Sequence, residues 1–381
     1  MGDKHSGVGI VATTPGDTES HSGHIATRMM VAIFFCFHDE IHIFTRATAV
    51  MEFDEPNIHV HRYGKPLSES STGFRLFGHL LYQIKYVAGI YRHRKDLDIV
   101  FVSSSGTILI LLGARLSGLF AIYRVGGALY RQYSRSTTKQ QIWTLFLKSV
   151  EKMAYATANA IVVISTAQAD SLDLGRARGK THVWNHYYFD LDQFDIDLKY
   201  DQRDVIIGHV GISEVKGSRK FLRAINQLDS DLIDKVLIIG DGPIFEEVKS
   251  KASHSGHDVE FTGKIDRFEM PQQFNQMKLF VLCSESEGVP KVALESMACG
   301  TPVLATDVGG TADYISHGHN GFLIPDNEPQ TIATAVEDLL LSEDLSKFSD
   351  TSRRSIDKEF SFANVKQRYR ELMTVHSPVD I

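Results

Sequence analysis

The chain has 381 residues, of which 43% are apolar and 23% charged. That composition excludes global disorder, and the length favours two domains over one. The 40 basic and 47 acidic side chains leave a net charge of −7, unevenly distributed: residues 1–189 carry 20 basic and 14 acidic groups, residues 190–381 carry 20 and 33. A basic first half suits an anionic partner, a lipid surface or a phosphorylated substrate, and no nucleic-acid module accompanies it.

Short apolar runs alternate with helical patterns along nearly the whole chain. The first half predicts strands at Val8–Ala12, Ile41–Thr45, Ile99–Ser103, Phe120–Arg124 and Ala160–Ile164, with helices near 23–37, 74–91, 106–117 and 139–158 between them. The second half predicts strands at Val205–Val210, Val236–Ile239, Val259–Thr262, Leu279–Cys283, Pro302–Ala305 and Phe322–Ile324. Helices near 217–228, 243–253, 269–277, 290–299 and 330–341 fall between or after these. Near-continuous apolar strands separated by helices imply parallel sheets covered on both faces. Two such series give an α/β chain of two Rossmann-like doubly wound domains facing a cleft, with the C-terminal strand ends lining it. The charge change and the aspartate-rich stretch within 176–203 put the boundary there. The domains are then 1–185 and 186–381, with a closing helix at about 360–375 expected to pack back on the first domain.

Cys36, Cys283 and Cys299 have no metal-ligand spacing and read as buried thiols of a reducing cytoplasm. The seventeen histidines read as scattered. His254 and His257 form the nearest thing to a ligand pair, and a solvated helix face explains them. No signal peptide is expected, because the apolar run Met29–Phe37 starts late and ends in His38-Asp39-Glu40. The reading is a cytoplasmic protein, peripheral to the inner face of a membrane.

Chemistry concentrates in Ser284–Asn327. Its first residues form a loop at the C-terminal end of a strand, and Pro290 suits the first turn of the next helix. That helix start offers N–H groups and partial positive charge to an anionic or hydroxyl-rich ligand. Glu287 lies in the loop and Glu295 in the helix, and either carboxylate can accept two hydrogen bonds from a vicinal diol. Taken alone, the pair also fits an exposed helix residue and a capping residue.

The surroundings of that pair closely resemble retaining glycosyltransferases of family 4, which have the GT-B fold. The resemblance runs through Glu287-Gly288-Val289-Pro290, Glu295-Ser296-Met297-Ala298-Cys299-Gly300-Thr301-Pro302-Val303, Val308-Gly309-Gly310 and His319-Asn320-Gly321-Phe322. It implies that Glu295 holds the ribose hydroxyls of a nucleotide-sugar donor and that Glu287 contacts the donor sugar. Upstream, Gly211 permits close backbone approach and Lys216 can neutralise a diphosphate. The family usually has an arginine after that glycine; here Ile212 stands in its place, with Arg219 or Lys220 as possible substitutes. Ser22-Gly23 sits where the family keeps a glycine-rich loop facing the donor phosphates, and the position after Phe120–Arg124, often a histidine, reads Val125-Gly126-Gly127. His38 reads as structural.

The donor-binding set is thus Gly23, Gly211, Lys216, Glu287, Gly288, Val289 and Glu295, with Glu287 and Lys216 catalytic and no metal. The implied reaction moves a sugar, with retention, from a UDP- or GDP-linked donor to a glycan or lipid-linked acceptor, as in polysaccharide or glycoconjugate biosynthesis, and closure of the two domains would exclude water. No cofactor is expected. Residues 85–152 hold eleven basic side chains and three acidic ones, which fits either a solvated face or a membrane-surface acceptor site. Three other readings stay open: a nucleotide-sugar epimerase of the same fold, a dinucleotide-dependent oxidoreductase, and a non-enzymatic glycosyltransferase-like partner protein.

Overall fold

The computed structural model describes residues 6–12, 22–46, 51–63, 72–103, 107–126, 138–342 and 344–376. The chain divides into two compact units, one of residues 1–187 with 365–381 and one of residues 188–364.

The first unit is a seven-stranded, all-parallel sheet. Its strands are β1 (Gly7–Ala12), β2 (Glu40–Arg46), β3 (Ile58–Tyr63), β4 (Ile99–Ser103), β5 (Phe120–Arg124), β6 (Ala160–Val163) and β7 (Thr181–Val183), in the spatial order β3-β2-β1-β4-β5-β6-β7. The crossovers include helices α1 (Ser22–Phe34), α2 (Thr72–Arg92), α3 (Ile108–Leu116), α4 (Thr138–Thr157) and α5 (Thr166–Ser171). Every residue of β1 is buried, as a central strand between two helical layers requires. β3 escapes the search for apolar runs because Ile-His-Val-His-Arg-Tyr alternates, and as an edge strand it is only half-buried.

The second unit is a six-stranded parallel sheet: β8 (Ile206–Val210), β9 (Lys235–Ile239), β10 (Val259–Gly263), β11 (Leu279–Leu282), β12 (Val303–Thr306) and β13 (Phe322–Ile324), in the order β10-β9-β8-β11-β12-β13. Its helices are α6 (Ser218–Ile225), α7 (Phe245–Ala252), α8 (Met270–Gln276), α9 (Lys291–Ala298), α10 (Pro329–Ser342) and α11 (Ser346–Phe360). The sequence pattern missed α11. Its buried face is Ser349, Ser352, Ile356 and Phe360, a helical stripe begun by two serines where an apolar search expects hydrocarbon. The small residues are needed there, since a Cβ on Gly300 would stand 2.6 Å from Ser349 Oγ.

The last helix, α12 (Phe362–His376), belongs to the first unit from Val365 onward. There Tyr369 is wholly buried against Phe34 and Trp184, and its hydroxyl lies 2.8 Å from His38 Nε2. The other ring nitrogen of His38 meets Ser6 Oγ at 2.7 Å. One histidine thus joins the start of the sheet, the α1–β2 turn and the closing helix. The expectation of three buried thiols needs one correction: Cys36 is exposed, because α1 ends at Phe34 and the next three residues form a surface turn.

Burial pushes His38, and His209 in the second unit, down from the usual histidine range to about 4. The unfolded chain takes up these protons near pH 6.5, the folded chain only near pH 4. Stability is therefore complete above pH 6.5 and declines as the pH falls through that window, by up to on the order of 3 kcal/mol per histidine. Urea melts between pH 7.5 and 5 should show the midpoint dropping below pH 6.5. A flat profile would contradict the burial of these rings in their neutral form.

Candidate functional site

In the second sheet the chain winds one way from β8 through β9 to β10 and the other way from β11 to β13. The crevice at the carboxyl ends of β8 and β11 is therefore the topological switch point, where ligands bind in open parallel sheets. Two loops leave it side by side, residues 211–217 before α6 and residues 283–290 before α9.

The first loop is shaped by glycine and by a buried histidine. Gly211 and Gly217 have φ of 89° and 72°, and a Cβ on Gly217 would lie 2.1 Å from the carbonyl oxygen of Cys283. Only glycine lets the two loops approach so closely. His209, fully buried and stacked on Phe221, donates from Nδ1 to Val281 O at 3.1 Å. Its Nε2 lies 3.1 Å from Ser218 Oγ, which lies 2.9 Å from Gly211 O and accepts the Ser213 N–H at 3.2 Å. This network pins the loop that carries Lys216.

Lys216 Nζ donates to Glu287 Oε1 at 2.7 Å, and the Ser284 hydroxyl donates to the same oxygen at 2.6 Å. The lysine side chain remains 30% exposed and the glutamate side chain 9%. A basic group held at a sheet's ligand edge can exchange this carboxylate for an incoming anion. The Glu287 backbone is itself fastened: its carbonyl accepts the Gly310 N–H at 3.1 Å, and a Cβ on Gly309, whose φ is 58°, would come within 1.9 Å of that oxygen.

Pro290 takes the N-cap position of α9, one residue earlier than expected, and supplies no side-chain hydrogen bond. Residues Ala293–Ala298 are all buried. The carbonyl oxygens of Ala298 and Cys299, at the helix end, accept from Arg353 Nη1 at 2.6 Å and Arg203 Nη2 at 2.9 Å, cations placed where the helix dipole is negative. Arg203 is itself buried and also reaches Leu198 O, Met277 O, Thr301 Oγ1 and Asn275 Oδ1. Glu295 is held in this rigid helix with 8% of its surface exposed and pairs with Arg267 Nη2 at 3.1 Å. Burial pushes its carboxyl up, while Arg267 and Lys291 pull the other way.

Of the sequence-predicted set, the structure joins Lys216, Glu287 and, through Gly309 and Gly310, the loop after β12. It gives Glu295 a separate cation. Gly288 is exposed and Val289 buried in the same loop. Gly23 lies in the first turn of α1, in the other unit; Gly126 follows β5, and Gly127 lies outside the described residues. Ile212 is 1% exposed and packs in the core, so the position after Gly211 supplies no charge. The proposed substitutes are already engaged: Arg219 with Glu247 and Glu214, Lys220 with Asn327 Oδ1 at 2.7 Å and Glu328 at 3.0 Å. Sequence reasoning missed Arg267 and His209, whose partners are distant in the chain.

The Gly309 approach is testable. Gly309→Ala places a side chain at positive φ against backbone and should cost at least about 2 kcal/mol, with the Glu287 loop displaced. Denaturant melts of the two proteins measure the difference, and equal midpoints would refute the packing.

Residues 204–342 match the family model described as glycosyl transferases group 1. The chain is 28% identical over 191 residues to N-acetyl-alpha-D-glucosaminyl L-malate synthase of Bacillus anthracis, covering 49% of this chain and 50% of that protein. It is 24% identical over 238 residues to the GalNAc-alpha-(1->4)-GalNAc-alpha-(1->3)-diNAcBac-PP-undecaprenol alpha-1,4-N-acetyl-D-galactosaminyltransferase of Campylobacter jejuni, covering 62% of this chain and 64% of that one. The matches thus span half to just under two thirds of these relatives. Among solved structures, HepE of Anabaena in complex with UDP superposes with a TM-score of 0.75 at 16% identity, over 97% of this chain and 100% of that one. That likeness establishes the GT-B fold.

Proposed function

Because residues 204–342 match the glycosyl transferases group 1 model and the chain has the GT-B fold, we propose that the protein transfers a sugar from a nucleotide-diphosphate donor to a hydroxyl of a glycan or lipid-linked acceptor. The observation that carries the reading is the Lys216–Glu287 pair at the switch point of the second sheet, with the buried Glu295 in the helix that follows.

In the reaction the bond between the sugar's anomeric carbon and the diphosphate oxygen breaks, a bond to the acceptor oxygen forms, and the acceptor hydroxyl's proton passes to the departing diphosphate. Negative charge grows on the departing diphosphate. Lys216 releases Glu287 and turns to that charge, aided by backbone N–H groups of the loops around Gly211 and of Gly288 and Val289 at the start of α9. Glu287, freed from the lysine, accepts hydrogen bonds from the donor sugar, and Glu295 accepts them from the ribose diol. In this reading the lysine does the work a metal would otherwise do. Retention is taken from the family resemblance. UDP is the favoured nucleotide, because UDP is what the Anabaena structure holds.

Calorimetric titration of the metal-free protein with UDP, GDP and, as a control, NAD tests the reading. One nucleoside diphosphate should bind and NAD should not. Glu295→Ala should weaken that binding about 10- to 100-fold, the loss of charge-assisted hydrogen bonds, with the fold intact. Unchanged affinity would remove Glu295 from the site. The buried Ile212 favours a second reading, a non-enzymatic partner protein; binding to none of the nucleotides by folded protein would select it. A sugar with one ring carbon inverted, formed without an acceptor, would instead select an epimerase.

The acceptor side is proposed to meet a membrane surface. Among the described residues no helix is long and apolar enough to cross a membrane. Yet α4 exposes Ile142, Leu145, Phe146 and Met153 at helical spacing, beside the exposed Lys148 and Lys152. An apolar stripe edged with lysines suits shallow insertion among anionic headgroups. Co-sedimentation with anionic vesicles should fall several-fold in Leu145→Asp and Phe146→Asp, and with added salt. Equal sedimentation of wild type and variants would overturn this placement.

A further inference from the structure

The histidines that read as scattered in sequence do not stay scattered. On one face of the first sheet, at its β2–β3 edge, four of them gather. The parallel register pairs His42 with His59 and Phe44 with His61, so the period-two alternation of both strands turns these rings to the same side. The turn after α2 then brings His93 over them. His42 lies 4.8 Å from His59, 5.1 Å from His61 and 4.8 Å from His93 between ring centroids, and His61 lies 4.4 Å from His93.

We propose that His42, His61 and His93 form a binding site for a divalent transition ion of the zinc class. One ring nitrogen of each lies within 4.8 Å of the others. The closest pair, His42 Nδ1 and His61 Nε2, is 3.0 Å apart, now sharing a proton. Two imidazole nitrogens on a tetrahedral zinc, with bonds of about 2.0–2.1 Å, stand about 3.3 Å apart. The first pair therefore has to open by a few tenths of an ångström, and His93, partly exposed in its turn, has to swing inward. The proton between the first two rings moves to the far nitrogen of its own ring, so both lone pairs are presented without a change of charge.

The surroundings fit a cation. Asp96 stands 3.7 Å from His93 Nδ1, the placement of a carboxylate that orients a ligating imidazole through its second nitrogen. Glu40 lies 2.8 Å from His59 Nε2, and together they place a further carboxylate–imidazole pair beside His42. Phe44 stacks on His61 at 5.0 Å and forms an apolar wall. His42 is buried while His61 and His93 are only partly so, which leaves the fourth coordination position on the solvent side. Imidazole donors select zinc, copper, nickel or cobalt over magnesium and calcium, which require oxygen. A bound ion would clamp β2, β3 and the end of α2 together.

The test is titration of the tag-free, chelator-stripped full chain with zinc chloride, followed by cobalt(II) absorption spectra. The expected result is one equivalent bound at micromolar affinity or tighter, no binding of magnesium, and intense visible cobalt bands of four-coordinate geometry. His93→Ala, in the exposed turn, should weaken zinc at least about tenfold, and His61→Ala likewise, while His254→Ala, a surface histidine elsewhere, should not. Zinc should raise the melting temperature of the wild type and not of His93→Ala, with circular dichroism confirming that the variants fold. Absence of saturable binding, or equal affinity in the His93 and His254 variants, would overturn the site.

Discussion

Everything in the candidate site depends on the parallel pairing of β8 with β11. Consecutive strands of the second sheet wind away from this pair in opposite directions, so the helices after β8 and β11 go to different sides and their connecting loops part at the crevice. No other neighbouring pair in that sheet has this property. Two segments about seventy residues apart in sequence are thereby placed within one hydrogen bond of each other, as Lys216 and Glu287 demonstrate. The loops are close enough that glycine is required at Gly217 against Cys283 and, in the loop after β12, at Gly309 against Glu287.

Rigidity behind those loops comes from buried polar groups that are satisfied rather than from hydrocarbon alone. Arg203 would be costly to bury unpaired, but its guanidinium hydrogens meet carbonyl and side-chain oxygens from three separate segments. With Arg353 it anchors the end of α9, which leaves Glu295 little freedom along the helix axis. His209, near the end of β8, acts similarly as a neutral hydrogen-bonding wedge behind the Lys216 loop. These groups order the site's backbone, while Lys216, Glu287, Glu295 and Arg267 carry its charge. Each of those carboxylates already has a cation, Lys216 for Glu287 and Arg267 for Glu295.

The first unit uses imidazoles differently. His38 is a fully engaged spacer between elements far apart in sequence, whereas the His42 cluster concentrates nitrogen donors on a half-covered edge of the sheet. The cluster draws on β3, an edge strand that is only half-buried and so tolerates polar side chains at alternate positions, where a central strand such as β1 is buried throughout.

Local sequence determined much of this protein. Apolar runs and helical stripes located nearly all the strands and most of the helices, because burial on both faces of a parallel sheet demands continuous hydrocarbon, and the motif around Glu287 and Glu295 marked the candidate loop at the switch point. What escaped were the histidine-alternating β3 and the serine-faced α11, whose buried residues are not all hydrocarbon, and the short β7 and α5, too brief to show a periodic pattern. Also hidden were the partnerships: Arg267 with Glu295, Arg203 with the end of α9, Ile212 turned into the core, and four histidines drawn onto one face. A side chain's type is local information, but its partner is set by strand order and register. Those are decided only when the whole sheet closes, and so only the tertiary structure could assign them.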